Sequence, residues 1–281
     1  MDSDSGFKEV KITTILGIYM IFIILYFAVI TIVSMFTTNG FQTDSNSDYV
    51  YITVIIMLIF LSIAIISIFR PTKKAVKSLY YDFKSKIKFY EIFKVIGLVI
   101  CLIIGSKGLI IGISYYFSPS FATTIIKDSS IEINKTSYYI IFTIVSLIIS
   151  PIMDELTFRS VLFKRISKRT NNIYIGIIIS SMIYGIIGDT SEIAGMILLG
   201  VVNCILYIKY KNILMPMMVD YIYNIMDLIF IDNFLDKSIK LTSDSIGMCL
   251  GIGAVIFSIG ISLFIKFIKN NNIYLKQSEL Y

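Results

Sequence analysis

Apolar, charge-poor stretches long enough to cross a lipid bilayer recur along this chain from residue 12 to residue 268. A hydrocarbon core about 30 Å thick takes roughly 20 residues of helix, and a helix satisfies its own backbone hydrogen bonds where no water can. Eight stretches qualify, at about 12–36, 49–69, 92–117, 138–163, 173–188, 193–208, 213–231 and 246–268. The expected fold is therefore all-α, a polytopic membrane helix bundle with about eight transmembrane helices. The residue alternation of an outer-membrane barrel is absent. Charged residues make up 16% of the chain, against about 25% in soluble domains. That balance excludes a soluble globular enzyme, a disordered chain and a disulfide-stapled secreted module.

Orientation follows from the loops. The odd-numbered ones, 37–48, 118–137, 189–192 and 232–245, hold only Lys127, Lys135, Lys237 and Lys240. The even-numbered loops and the two tails carry most of the Lys and Arg, and 70–91 is the densest, with Arg70, Lys73, Lys74, Lys77, Lys84, Lys86 and Lys88. Basic loops stay in the cytoplasm, so both termini are expected there. The net charge of +6 is then an orientation signal and a contact with anionic membrane lipid; no nucleic-acid partner is expected. The apolar run after the N-terminal tail is too long for a signal-peptide core and is expected to stay as the first span.

The chain contains no histidine. This removes histidine-based zinc sites, Ser-His and Cys-His nucleophilic pairs and imidazole relays. Cys101, Cys204 and Cys249 lie in apolar runs without the spacing of a metal or redox motif, and read as small apolar residues. No metal and no cofactor is expected.

Ionisable groups inside a span are costly and need a partner or a purpose. The fourth span carries Asp154, Glu155 and Arg159, and the seventh Asp220, Asn224 and Asp227. Glu155 and Arg159, four apart, share a helix face and can pair. Asp154 points about 100° away from Glu155. Asp220, Asn224 and Asp227 form one polar stripe at i, i+4 and i+7. Two such faces are expected to turn from lipid and meet in a hydrated pocket open to the cytosol, although a lone Asn224 reads better as a link between helices. Lys94 and Lys107 in the third span read as structural, Lys94 by reaching back to the inner surface.

The run Pro151-Ile-Met-Asp154-Glu155-Leu-Thr-Phe158-Arg159-Ser160 resembles the Glu-Glu-x-x-x-Arg signature of the CAAX-protease and bacteriocin-processing (CPBP, or Abi) intramembrane proteases. The resemblance continues in order and in register over about 138–231. Tyr184-Gly185-Ile-Ile-Gly188 sits where the family has Phe-x-x-x-His. Gly200 to Tyr207 is similar to its small-residue helix, and Leu214-x-Pro216-x-x-x-Asp220-x-x-x-Asn224 to a helix ending His-x-x-x-Asn. The resemblance implies an eight-helix bundle with a cytosolic cavity. It also implies a first signature Glu that activates water with help from the second-motif His, and a third-motif His and Asn that polarise the scissile carbonyl. Family substrates include prenylated CAAX proteins and bacteriocin leader peptides; other members are immunity factors or regulatory partners. The implied organisation is three N-terminal helices with a basic cytoplasmic loop (1–137), a CPBP-like core (138–231), and a last helix with a cytoplasmic tail (232–281). The expected location is the bacterial cell membrane.

Carried over residue by residue, the implied catalytic positions are Asp154, Glu155, Arg159, Asp220 and Asn224. Here Asp154 replaces the first Glu, while Gly188 and Asp220 stand at the two His positions. Counted at 1.5 Å per residue, Gly188 lies near the outer end of its helix and Asp220 nearer the inner face. They are not expected to meet unless the fifth span tilts or extends. The reading expected from these departures is a protease-like membrane protein with lost or reduced proteolysis. It would bind a membrane protein or peptide as an immunity or regulatory factor. The alternative is an active endopeptidase of CAAX or leader-peptide type that uses Asp154 or Glu155 with Asp220, an Asp154–Asp220 pair sharing a proton as in aspartic proteases. A second alternative is a small membrane transporter.

Overall fold

A computed structural model describes residues 10–36, 48–129, 136–188, 190–234 and 243–277, and every regular element among them is helical. The N-terminal part comprises α1 (Ile12–Phe36), α2 (Asp48–Phe69), α3 (Lys73–Lys86), α4 (Phe89–Phe117) and α5 (Pro119–Ser129). A long helix follows, built of α6 (Thr136–Ile144), a π-helical segment (Val145–Ile149), α7 (Ser150–Glu155), a second π-helical segment (Leu156–Phe163) and α8 (Lys164–Thr170). Then come α9 (Ile173–Ile187), a 3-10 turn (Thr190–Glu192), α10 (Ile193–Tyr210), α11 (Leu214–Phe234) and α12 (Ser243–Gln277).

The eight apolar stretches of the sequence coincide with α1, α2, α4, the α6–α8 helix, α9, α10, α11 and α12. By length and composition, five helices among the described residues can each cross a membrane: Ile12–Val29, Tyr90–Phe117, Tyr139–Thr170, Thr190–Tyr210 and Ile246–Lys276. The number is six if Ile55–Phe69 and Lys73–Lys86, bent by 95°, count as one span, and Ile173–Ile187 is a shorter apolar helix. Large apolar side chains such as Ile24, Phe27 and Phe93 stand exposed on the outside of the bundle, as on a lipid-facing surface. This is a multi-pass membrane protein.

Two connections expected as loops contain helices. Loop 70–91 holds α3, whose N-cap Thr72 accepts from the Ala75 amide at 3.2 Å and whose Ala75 and Leu79 face the protein. Segment 118–137 begins with α5. Both are polar enough to be passed over as spans, yet their apolar residues recur at helical spacing.

Helix ends are set locally. Asn171 and Lys211 take left-handed conformations (φ 49° each) that stop α8 and α10. Asn172 caps α9 by accepting from the Tyr174 and Ile175 amides at 2.9 and 3.3 Å. Two close backbone approaches hold the bundle. A Cβ added to Gly253 of α12 would lie 2.9 Å from the Gly108 carbonyl carbon of α4, and one on Gly200 of α10 would lie 2.9 Å from Ser181 Cα of α9. Small residues at such crossings let helices pack closely in lipid. α7, the second π segment, α9, α10 and α11 converge on one buried point.

Candidate functional site

The signature residues sit where α7 gives way to the second π segment, a local register change frequent at functional sites. Arg159 Nη1 lies 2.9 Å from Glu155 Oε1, with both side chains buried (1% and 0% exposed). The guanidinium also lies over the Tyr184 ring, 4.4 Å from its centre, a contact that is stronger when desolvated, and one Nη approaches the Gly200 carbonyl at 3.5 Å.

Asp220 of α11 reaches the same point. Its Oδ1 accepts from Asn203 Nδ2 at 2.5 Å and from the Tyr184 hydroxyl at 3.3 Å. Asn203 Nδ2 also donates to Glu155 Oε1 at 3.1 Å, so one amide bridges two acids from different helices. The two carboxyls therefore meet at one donor, and like charges held so near each other away from water repel. Their other oxygens, Glu155 Oε2 and Asp220 Oδ2, have no further partner. The Arg159 guanidinium offsets part of the charge of the two carboxyls, since an unpaired charge in a dry interior is costly.

The pocket is not the hydrated one expected. Glu155, Arg159, Asn203 and Asp220 are all packed shut. Asp154 stands at the edge, half-buried, where Ser150 Oγ donates to its Oδ2 at 2.9 Å. The acid that shares a donor with Asp220 is Glu155, through Asn203. Asn224 spends its amide elsewhere, on the Ser146 carbonyl at 2.8 Å. Gly188 caps the end of α9, and a Cβ there would first meet Met196 Cε at 3.1 Å. The α9 residue that contacts Asp220 is Tyr184, one turn earlier.

Asp227 belongs to a second charged group further along α11. Lys107 Nζ lies 3.0 Å from Asp227 Oδ1 and 3.8 Å from Glu192 Oε1, and Tyr223 donates to Glu192 at 2.7 Å. Lys107 is thus an ion-pair partner joining α4, α11 and the 3-10 turn. Lys94 is exposed, 4.1 Å from the Tyr90 ring centre.

Sequence reasoning did not single out Asn203, Glu192 or Tyr223. Asn203 had a signal, being the one amide in the apolar run of α10. Glu192 lay in an expected loop and gave none. Among the described residues, no group of three or more Cys, Asp or Glu is arranged to hold a metal ion.

Residues 136–226, the stretch that contributes every member of the buried cluster, match the family model described as Type II CAAX prenyl endopeptidase Rce1-like. Over that segment, less than half of the chain, the protein is similar to the CAAX prenyl endopeptidases. No curated protein and no solved structure matches the chain. The matched segment contains both faces that meet at Asn203, and the residues packed around it from α1, α2, α4 and α12 lie outside it.

Proposed function

We propose that this CAAX-protease-like membrane protein binds a membrane protein or peptide segment without cleaving it, as an immunity or regulatory factor of the bacterial cell membrane. In this reading eight helices span the bilayer, both termini lie in the cytoplasm, and the partner meets the protein at the half-buried edge that carries Asp154. The observation that carries it concerns hydrogen-bond donors. Peptide hydrolysis needs a base for water and a donor aimed at the developing oxyanion. Tyr184 and Asn203 already donate to the acids, and Asn224 donates to Ser146. Glu155 is held by Arg159 and Asn203, which leaves Asp154 as the acid with room to act. The positions that resemble the family's histidines are Gly188 and Asp220. General acid–base help is worth about 10²–10⁴-fold and an oxyanion donor about 10²–10³ more, so their loss leaves little activity.

The convergence of the Glu155 and Asp220 carboxyls on one Asn203 amide favours a second reading, an endopeptidase run by paired carboxyls. One experiment separates the two. The purified chain is incubated with a membrane-peptide library over a range of pH, beside Asp154→Asn and Asp220→Asn. Absence of cleavage with retained peptide binding supports the binding reading. Cleavage that either substitution abolishes overturns it and establishes the endopeptidase.

A further inference from the structure

We propose that the outward face of α3 docks the anionic headgroups of phospholipids in the adjoining leaflet, as a charged shelf lying along the bilayer surface. The geometry comes from the break after α2. Arg70 adopts φ 43°, a left-handed conformation uncommon outside glycine, and Pro71 follows. The helices on either side are bent by 95°. If α2 crosses the bilayer, α3 lies in the plane of its surface.

The shelf has two distinct sides. Ala75 and Leu79 are buried against the protein. At 100° per residue, Lys73, Lys77 and Lys84 share the opposite side, where they are exposed and flanked by exposed Tyr80 and Tyr81. None of the three lysines takes part in an ion pair among the described residues. The only acid of α3, Asp82, is turned inward to Lys86 and Asn212. A row of lysines with tyrosines at headgroup level is the surface an anionic leaflet attracts.

The inner side fixes how the row is presented. Asn212, fully buried in the turn between α10 and α11, donates to the Leu79 carbonyl at 2.9 Å and to Asp82 at 3.1 Å. Lys86 donates to the Tyr210 carbonyl at 3.2 Å. α3 is therefore clamped to the bundle, which fixes the side on which its lysines stand. The proposal is independent of whether the acid cluster cleaves anything, since its readout is lipid.

The full-length protein is reconstituted in nanodiscs containing phosphatidylcholine and phosphatidylglycerol. It is then extracted in mild detergent, and the retained lipids are counted by native mass spectrometry. The wild type is expected to retain phosphatidylglycerol over phosphatidylcholine. The triple variant Lys73→Gln/Lys77→Gln/Lys84→Gln should lose that preference several-fold, while Lys266→Gln/Lys269→Gln on α12 keeps it. The Lys→Arg version of the triple variant should also keep it, so a fold defect in the Gln version does not decide the result. High salt should weaken retention. Equal retention by the wild type and the Gln variant, or no preference in the wild type, overturns the proposal.

Discussion

The side-chain amide of Asn224 donates to the backbone carbonyl of Ser146, the carbonyl that Pro151 leaves without a donor. In the π segment each amide reaches back five residues, as Ser150 N–H does to the Val145 carbonyl. The next residue would serve Ser146, but proline has no N–H. Asn224→Ala should therefore cost about 1–3 kcal/mol, the penalty of an unsatisfied polar group. Pro151→Ala returns an amide to that place, so the double variant should recover part of the loss. Thermal melts of the four proteins in detergent measure this coupling; simply additive losses would contradict it.

Removing one member of the buried pair should be the most damaging change in the core. Glu155→Ala takes from buried Arg159 the carboxyl it pairs with at 2.9 Å, a defect of up to about 3–5 kcal/mol. Asn203→Leu should also destabilise, because both acids lose their shared donor. Adding Asp220→Asn to Asn203→Leu should restore stability in part by removing a negative charge. If Glu155→Ala melts like the parent in detergent, the ion pair does not support the fold.

Access by water separates the edge from the centre. In a background without the native cysteines, Asp154→Cys should react with a water-soluble, membrane-permeant thiol reagent in vesicles. Asp220→Cys should be protected, since Asp220 is 2% exposed. Equal labelling rates at the two positions would mean that the cluster is open to water.

The α3 clamp should weaken in acid. Burial alone would raise the Asp82 pKa, but hydrogen bonds from Lys86 and Asn212 and the Lys86 charge outweigh it and hold the carboxyl below the usual aspartate range. A carboxyl lowered in the folded state adds stability above its unfolded value of about 3.9. That contribution is lost as pH falls through the folded value. Wild type should melt above Asp82→Asn near neutral pH, and the gap should narrow as pH falls below the unfolded value of about 3.9. A gap independent of pH would show that the charge of Asp82 is not what holds the clamp.

Much of the arrangement was legible in the residues alone. Bilayer-length apolar runs marked the helices, and the i, i+4 spacing of Glu155 and Arg159 marked their pair. The polar stripe on α11 was also visible, but its members part ways in space: Asp220 joins Glu155, Asn224 serves Ser146, and Asp227 pairs with Lys107. Helical periodicity says which residues share a face, not which neighbour each one meets. The π segments were invisible for a related reason, since a local change from four-residue to five-residue bonding leaves no mark on the residue types of the stretch. Asn203 acquires its role only when α10 carries it between two acids contributed by other helices.

The seam between α4 and α12, closed where Gly108 meets Gly253, lies wholly outside the matched core. Yet α4 is tied into that core by Glu91 to Lys209 at 2.8 Å, and by Lys107 to Glu192. The recognisable segment is thus not a portable module. Cut out and expressed alone, it would carry a lysine and a glutamate stripped of their counter-charges, and bare the faces that α4 now covers. The smallest unit that can be transplanted intact runs well past the motif on both sides.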